Sequence, residues 1–213
     1  MDSEKFTKVF KLWNNETIEI KNLRLKCITL LALVVMLRPS DIAPQSVIVD
    51  GSGEVRDMQF TVDQLNFKAD GSVAIAIHGN KNHTHRHGFV VDVTPASDVS
   101  ICPVRTLRTY LQRTDKFRSS NGPVFISLRK PYGALSSSAI RQILNDAIET
   151  VGLSRNDFTA KSFRPTGATI AITEGFDPNV VQQIGRWKTS SVFFEHYVHS
   201  RVPINFTDKI LKL

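Results

Sequence analysis

The chain has 213 residues, with 27 Lys plus Arg against 20 Asp plus Glu and a formal net charge of +7. With 41% hydrophobic and 22% charged residues, it is neither disordered nor fibrous, and its length suits one large domain or two small ones. The longest apolar run, Ile28 to Leu37, is well short of the ~20 residues of a membrane span. No charged-then-apolar leader opens the chain, and two cysteines, Cys27 and Cys102, cannot make a disulfide scaffold. A reduced intracellular protein with no membrane role is therefore expected.

Phe6, Phe10, Leu12 and Trp13 stand at roughly helical spacing near the start. From Thr17 to Leu37 apolar residues recur at three and four, and the second half is apolar all round, which predicts a long, buried central helix. Pro39 pushes Arg38 out of the helical region, so the helix is expected to stop there. Ser46–Val49, Val55–Thr61, Ser72–Ile77 and Gly88–Val93 are β-branched or alternating runs punctuated by Asp50-Gly51, Asp70-Gly71 and Gly79-Asn80, and read as strands and turns. Residues 79–88 read as a polar hairpin tip. Helices are predicted from Pro103 to about Lys116, from a Ser136–Ser138 cap to about Val151, and over Lys161–Glu174, Asp177–Ile184 and Thr189–His199. A short strand is predicted at Val124–Ser127, and Pro203 suits the start of a last short helix. The chain holds no internal repeat. The fold class is α+β: mainly helical, with a small antiparallel sheet.

Net positive charge favours a polyanionic partner, yet a basic soluble surface is an equally plain reading of it. Four features sharpen the choice. Arg38 ends the most apolar helix, where a guanidinium needs an anion or a carboxylate such as Asp41. Lys81 stands in the tip Gly79-Asn80-Lys81-Asn82, placed to reach into a groove or simply solvated. Lys161 and Arg164 are three apart at a helix start, where two cations oppose the helix dipole and an anion between them would relieve it; a surface basic pair is the plain alternative. Gly185-Arg186-Trp187 is followed ten residues later by Tyr197, and both aromatics could be core, given Phe193 and Phe194.

In that order, Arg38, Lys81, Lys161-x-x-Arg164, Trp187 and Tyr197 resemble the catalytic set of the tyrosine recombinases, the family of lambda integrase and Cre, over about residues 20 to 200. Leu37-Arg38-Pro39-Ser40-Asp41-Ile42 is similar to the family's first arginine motif and the tip with Lys81 to its β-hairpin lysine. Lys161-x-x-Arg164, with Thr166, Ala168 and Thr169 after it, resembles its His/Lys-x-x-Arg box, Gly185-Arg186-Trp187 the Gly-x-Trp form of its Gly-His box, and Tyr197 its nucleophile. The tip and the Gly-Arg-Trp box look closest to recombinases of eukaryotic mobile elements (DIRS-like, Ngaro or Crypton types). The sequence departs from the family in carrying Lys161 where many members have His, and in a Trp187–Tyr197 gap one residue longer than usual. The extra residue would rotate Tyr197 by roughly 100° on a helix, so the loop Lys188 to Ser191 is expected to absorb it. About twenty residues precede this pattern in the sequence, too few for the helical domain that completes a clamp around DNA in the family, so a fragment or an isolated catalytic domain is expected. The resemblance implies a layout of an extension over 1–20, a catalytic domain over 21–200 and a tail over 201–213 that would pass between subunits.

The resemblance implies cleavage of double-stranded DNA through a 3′-phosphotyrosine, by a tetramer on DNA. The chemistry asks for these residue types. Arg38 and Arg164 offer paired planar donors to the non-bridging oxygens of a phosphorane-like transition state. Lys81 would protonate the leaving 5′ oxygen, and Lys161 would assist in charge stabilisation or proton transfer. Trp187 offers an indole N–H to a phosphate oxygen, and Tyr197 would be the attacking phenol. No cofactor and no metal is called for, because protein cations supply the positive charge. His83-x-His85-x-His87 on a strand would share one face as a possible zinc site, but a polar tip near DNA fits it better. His196 and His199 flank Tyr197 in structural or phosphate-contact roles. A non-catalytic DNA-binding descendant and a type IB topoisomerase are the competing functions. A nuclear address follows only from the eukaryotic resemblance.

Overall fold

The structure, a computed structural model, describes residues 1–49, 54–77, 89–187 and 189–197, with the backbone alone at 46–49, 54–58, 192, 196 and 197. These residues form helices α1 (Glu4–Lys11), α2 (Ile20–Val34), α3 (Pro103–Thr114), α4 (Ser137–Thr150), α5 (Phe163–Thr173), α6 (Pro178–Gly185) and α7 (Ser190–Tyr197), and strands β1 (Gln45–Val49), β2 (Glu54–Met58), β3 (Leu65–Phe67), β4 (Val73–Ile77) and β5 (Phe89–Val93). The mainly helical α+β class read from the sequence is the one observed. The chain divides into two compact units, Met1–Gly167 and Ala168–Leu213, with the division falling inside α5.

The first unit is built around α2. Leu23, Leu25, Cys27, Ile28, Leu30, Leu31 and Ala32 are buried, and α3 and α4 both pack on this helix. Burying side chains of this size contributes roughly 1.5–3 kcal/mol each. In α1, Phe6 and Phe10 are fully buried, and the Phe6 ring meets Phe163 edge-on at 5.4 Å. The four-residue spacing that predicts this helix thus also identifies its inward face. Leu12 departs from the expected stripe and is 84% exposed, because it falls beyond the last turn. Lys26 is fully buried in α2, and its ammonium donates to the carbonyls of Phe10 (2.9 Å) and Trp13 (2.7 Å) at the end of α1. Carbonyls at a helix end have no partner of their own, and Lys26 supplies one.

Strands β3, β4 and β5 make an antiparallel sheet in that order, with Ile75 opposite both Leu65 and Val91. The central β4 is apolar on both faces. The edge strand β5 alternates, with Val91 and Val93 buried and Val90 57% exposed. β1 and β2 pair separately, with Gln45 opposite Met58 and Val49 opposite Glu54. β3 was not foreseen, since three residues carry no legible period. Val124–Ser127 is not a strand but a stretch of isolated pairings: Val124 donates to Phe60, and Leu135 donates to Phe125.

The helix predicted over Thr17–Leu37 is shorter at both ends. It stops at Val34 rather than at Arg38, because Met36 takes a left-handed conformation with φ +53°. α3 opens on Pro103, with the Cys102 thiol accepting from the Arg105 N–H at 3.4 Å. Ser136 caps α4 through the Ala139 N–H at 3.2 Å, and Asp177 caps α6 through the Asn179 N–H at 2.7 Å, as their side chains suit. Both cysteines are buried free thiols. Among the described residues, no helix is long and apolar enough to cross a membrane.

Candidate active site

Three of the predicted site residues that the structure describes, Arg38, Lys161 and Arg164, lie in the first unit. Arg38 is half-buried and extended, just ahead of a 3-10 turn, Pro39–Ile42. Asp41, the carboxylate expected as its plain partner, accepts from the Arg38 main-chain N–H at 2.7 Å while its own N–H donates to the Arg38 carbonyl at 2.9 Å. The carboxylate therefore fixes the backbone that presents the guanidinium.

Lys161 does not lie on α5 but in a second 3-10 turn, Ala160–Ser162, that leads directly into it. Its side chain is exposed, whereas Arg164 is only 7% exposed. The two cations are thus not an ordinary surface pair on one helical face. Arg164 reaches back to the end of α2, where Nη1 donates to the Met36 carbonyl over a long 3.5 Å. A cation there also meets the negative end of the α2 dipole, an interaction of about 0.3–1 kcal/mol. Gly167, one turn further along α5, makes this closeness possible. A Cβ at that position would stand 2.3 Å from the Leu33 carbonyl oxygen.

Trp187 and Tyr197 belong to the second unit. α6 ends on Arg186, whose φ is +59°, and its last carbonyls are taken by the N–H groups of Arg186 (to Gln183, 2.9 Å) and Trp187 (to Gln182, 3.1 Å). This closure uses a left-handed residue in the usual way, but that residue is arginine, not the preceding glycine. Gly185 instead makes room for an aromatic ring. The Trp187 indole folds back over it, so that a Cβ would fall 1.6 Å from Cζ3 of the ring. The indole then packs against the fully buried Phe193, with ring centroids 4.9 Å apart and the planes tilted by 53°. Phe193 is core and serves as the platform for Trp187, which is itself half-buried rather than core. Tyr197 is the last residue of α7, which begins at Ser190. Its ring, like that of His196, lies outside the described side chains, and Lys188 and His199 lie outside the described residues. So do Lys81 and the His83, His85, His87 group. Among the described residues no cluster of three or more His, Cys, Asp or Glu could hold a metal.

The chain has three tyrosines. Tyr110 is fully buried, its hydroxyl accepts from the Ile126 N–H at 3.3 Å, and burial pushes its pKa up. A shielded phenol that resists ionisation is a poor nucleophile. Sequence reading missed Asn145 of α4, whose side-chain oxygen accepts from the Ala160 N–H at 2.8 Å and ties down the turn of Lys161. It also missed Thr159, whose hydroxyl accepts from the Lys161 N–H at 3.3 Å. The Thr159-x-x-Ser162 spacing is a capping pattern legible in hindsight. Nothing in the sequence points from Asn145 to Ala160.

Residues 54–202 match the model of the phage integrase family, and the chain belongs to that family. No curated protein matches it. Its fold is similar to those of solved recombinases and a transposon integrase. One is the XerH site-specific recombinase bound to its difH substrate in a pre-cleavage complex (13% identity, TM-score 0.65, covering 97% of this chain and 50% of that one). Another is the XerA recombinase (14% identity, TM-score 0.63, covering 100% and 62%). A third is the Tn1549 transposon integrase with circular intermediate DNA (13% identity, TM-score 0.56, covering 96% and 62%). The chain thus spans between half and two thirds of the length of these structures.

Proposed function

We propose that this chain cuts and rejoins double-stranded DNA by transesterification, as a recombinase or integrase of a mobile element. The phenolic oxygen of Tyr197 attacks the scissile phosphorus, the bond from phosphorus to the 5′ oxygen breaks, and a 3′-phosphotyrosine and a 5′-hydroxyl result. The leaving oxygen takes a proton from Lys81, and the phenolic proton is lost to the surroundings. One phosphodiester replaces another, so the bond energy is kept and no nucleotide cofactor is consumed. Arg38 and Arg164 neutralise the non-bridging oxygens in the transition state, Lys161 adds a third cation, and Trp187 donates its indole N–H.

The observation that carries this reading is the match of residues 54–202 to the phage integrase family. That stretch contains Lys81, Lys161, Arg164, Trp187 and Tyr197 in the order of the motifs they resemble, and Arg38 stands upstream. Its turn packs on α4, as does the turn of Lys161. Tyr110 is buried and Tyr132 stands outside the motif order, so Tyr197 is read as the nucleophile. Gly79-Asn80-Lys81-Asn82 and Gly185-Arg186-Trp187 support a place among eukaryotic mobile-element recombinases, and with it a nuclear address. The catalytic domain is read as 21–200. The tail over 201–213, with Ile204, Phe206, Ile210 and Leu211, is read as docking on a neighbouring subunit of a tetramer on DNA.

The test uses a pool of nicked duplexes with randomised sequence around the nick. The chain should capture a subset covalently, resistant to denaturation, and Tyr197→Phe should capture none. A second reading, a DNA-binding protein that no longer cleaves, is favoured by the ten-residue step from Trp187 to Tyr197. DNA retention without any covalent adduct would establish it.

A further inference from the structure

We infer that Asn145 is a positioning residue for Lys161: its side chain sets where that cation stands, and thereby the rate of strand cleavage. This rests on the recombinase reading above. The turn Ala160–Ser162 is a single 3-10 turn whose own hydrogen bonds run only among residues 159–162. Its first main-chain donor, the Ala160 N–H, has no helical acceptor, and Ala160 itself is 3% exposed. Such a donor loses much of the turn's stability if left unsatisfied in the interior. Asn145 accepts it at 2.8 Å from the middle of α4. The remaining bonds of the turn are local: the Ser162 N–H donates to the Thr159 carbonyl at 2.8 Å, the Thr159 N–H to the Ser162 hydroxyl at 3.1 Å, and the Lys161 N–H to the Thr159 hydroxyl at 3.3 Å. They shape the turn but do not locate it in the fold.

α4 is a common support. It packs on α2, on the turn that follows Arg38, and on the turn of Lys161. Asn145 is the side-chain hydrogen bond that fixes the lysine turn to this support, one residue before the lysine. Lys161 itself is exposed and has no such anchor among the described residues, so the position of its ammonium relative to Arg38 depends on the backbone that Asn145 holds. Asp41 holds the Arg38 backbone in the corresponding way at 2.7 Å. Asn145 touches no reacting atom; its action passes through Lys161.

The experiment measures single-turnover adduct formation on a nicked duplex recovered from the randomised pool. The variants are Asn145→Ala, Asn145→Asp, Lys161→Ala and the double Lys161→Ala/Asn145→Ala, all as the full chain. Loss of one part-buried hydrogen bond predicts about a tenfold slower cleavage for Asn145→Ala, with DNA affinity unchanged. Asn145→Asp keeps an acceptor for the Ala160 N–H and should recover most of the rate. In the Lys161→Ala background, removing Asn145 should cost less than twofold. Amide exchange over residues 159–164 should quicken in Asn145→Ala and not in Asn145→Asp, a readout that needs no cleavage. Equal proportional losses in both backgrounds, or unchanged exchange in Asn145→Ala, would overturn the inference while leaving the recombinase reading intact. A parent chain that forms no adduct on any duplex would overturn both.

Discussion

Lys26 shows how one residue can join two helices at a cost. Its ammonium is removed from water, and burial, partly offset by Asp98, lowers its pKa to about 8 from 10.5. An unfolded chain therefore holds the proton more tightly than the folded one between those two values. Below about pH 8 both states are protonated and the cost of burying charge is carried in full; as pH rises from 8 to 10.5 that cost is relieved and stability increases. The parent chain should gain up to roughly 3 kcal/mol over Lys26→Met across that window, as read by urea unfolding at pH 7.5 and 10.5. A difference that stays flat would mean the amine is already neutral or solvated. The sequence gives no hint of this role, because a lysine within an apolar run reads as a break in the stripe. Gly185 is similar: its place in a Gly-x-Trp motif is legible, but only the packing shows that the indole itself occupies the space of a Cβ.

At the scale of elements, the junction of α2 and α5 places Arg164. Met36 turns the chain out of α2, and Gly167 lets α5 approach the Leu33 carbonyl. Gly167→Ala would put a carbon 2.3 Å from that oxygen, and backbone on both sides resists movement. The variant should lose about 1–3 kcal/mol of stability and cleave more slowly, as Arg164 moves with its helix. Denaturant titration with cleavage assays checks this; full stability and full rate would show that the helices part without consequence. Element positions were largely legible. Start, cap and stop signals located α3, α4, α6 and α7 to within a few residues, helical spacing of Phe6 and Phe10 marked the face of α1 without its bounds, and β-branched runs located four of the five strands. The end of α2 was misread because Pro39 offers a plain stop signal, whereas a left-handed Met36 gives none. The separation of Lys161 from α5 was likewise hidden, because a 3-10 turn running into a helix keeps helical spacing.

For the molecule as a whole, the order of charged and aromatic residues carries more information than any single one. Arg38, Lys161 and Arg164 are far apart or unremarkable in sequence, yet all three are fixed in the first unit by main-chain bonds, helix ends and one close glycine contact. The proposed subunit exchange makes a separate claim. Deleting residues 203–213 should reduce the mass of the complex on DNA measured by light scattering, and an unchanged mass would mean the tail packs on its own subunit. The most direct measurement of the central claim is the identity of the residue that carries the DNA. The captured complex should be digested with protease and nuclease and its cross-linked peptide sequenced by mass spectrometry. The account predicts a single nucleotide joined through its 3′ phosphate to the oxygen of Tyr197. Attachment at Tyr132, or through a 5′ phosphate, would contradict it.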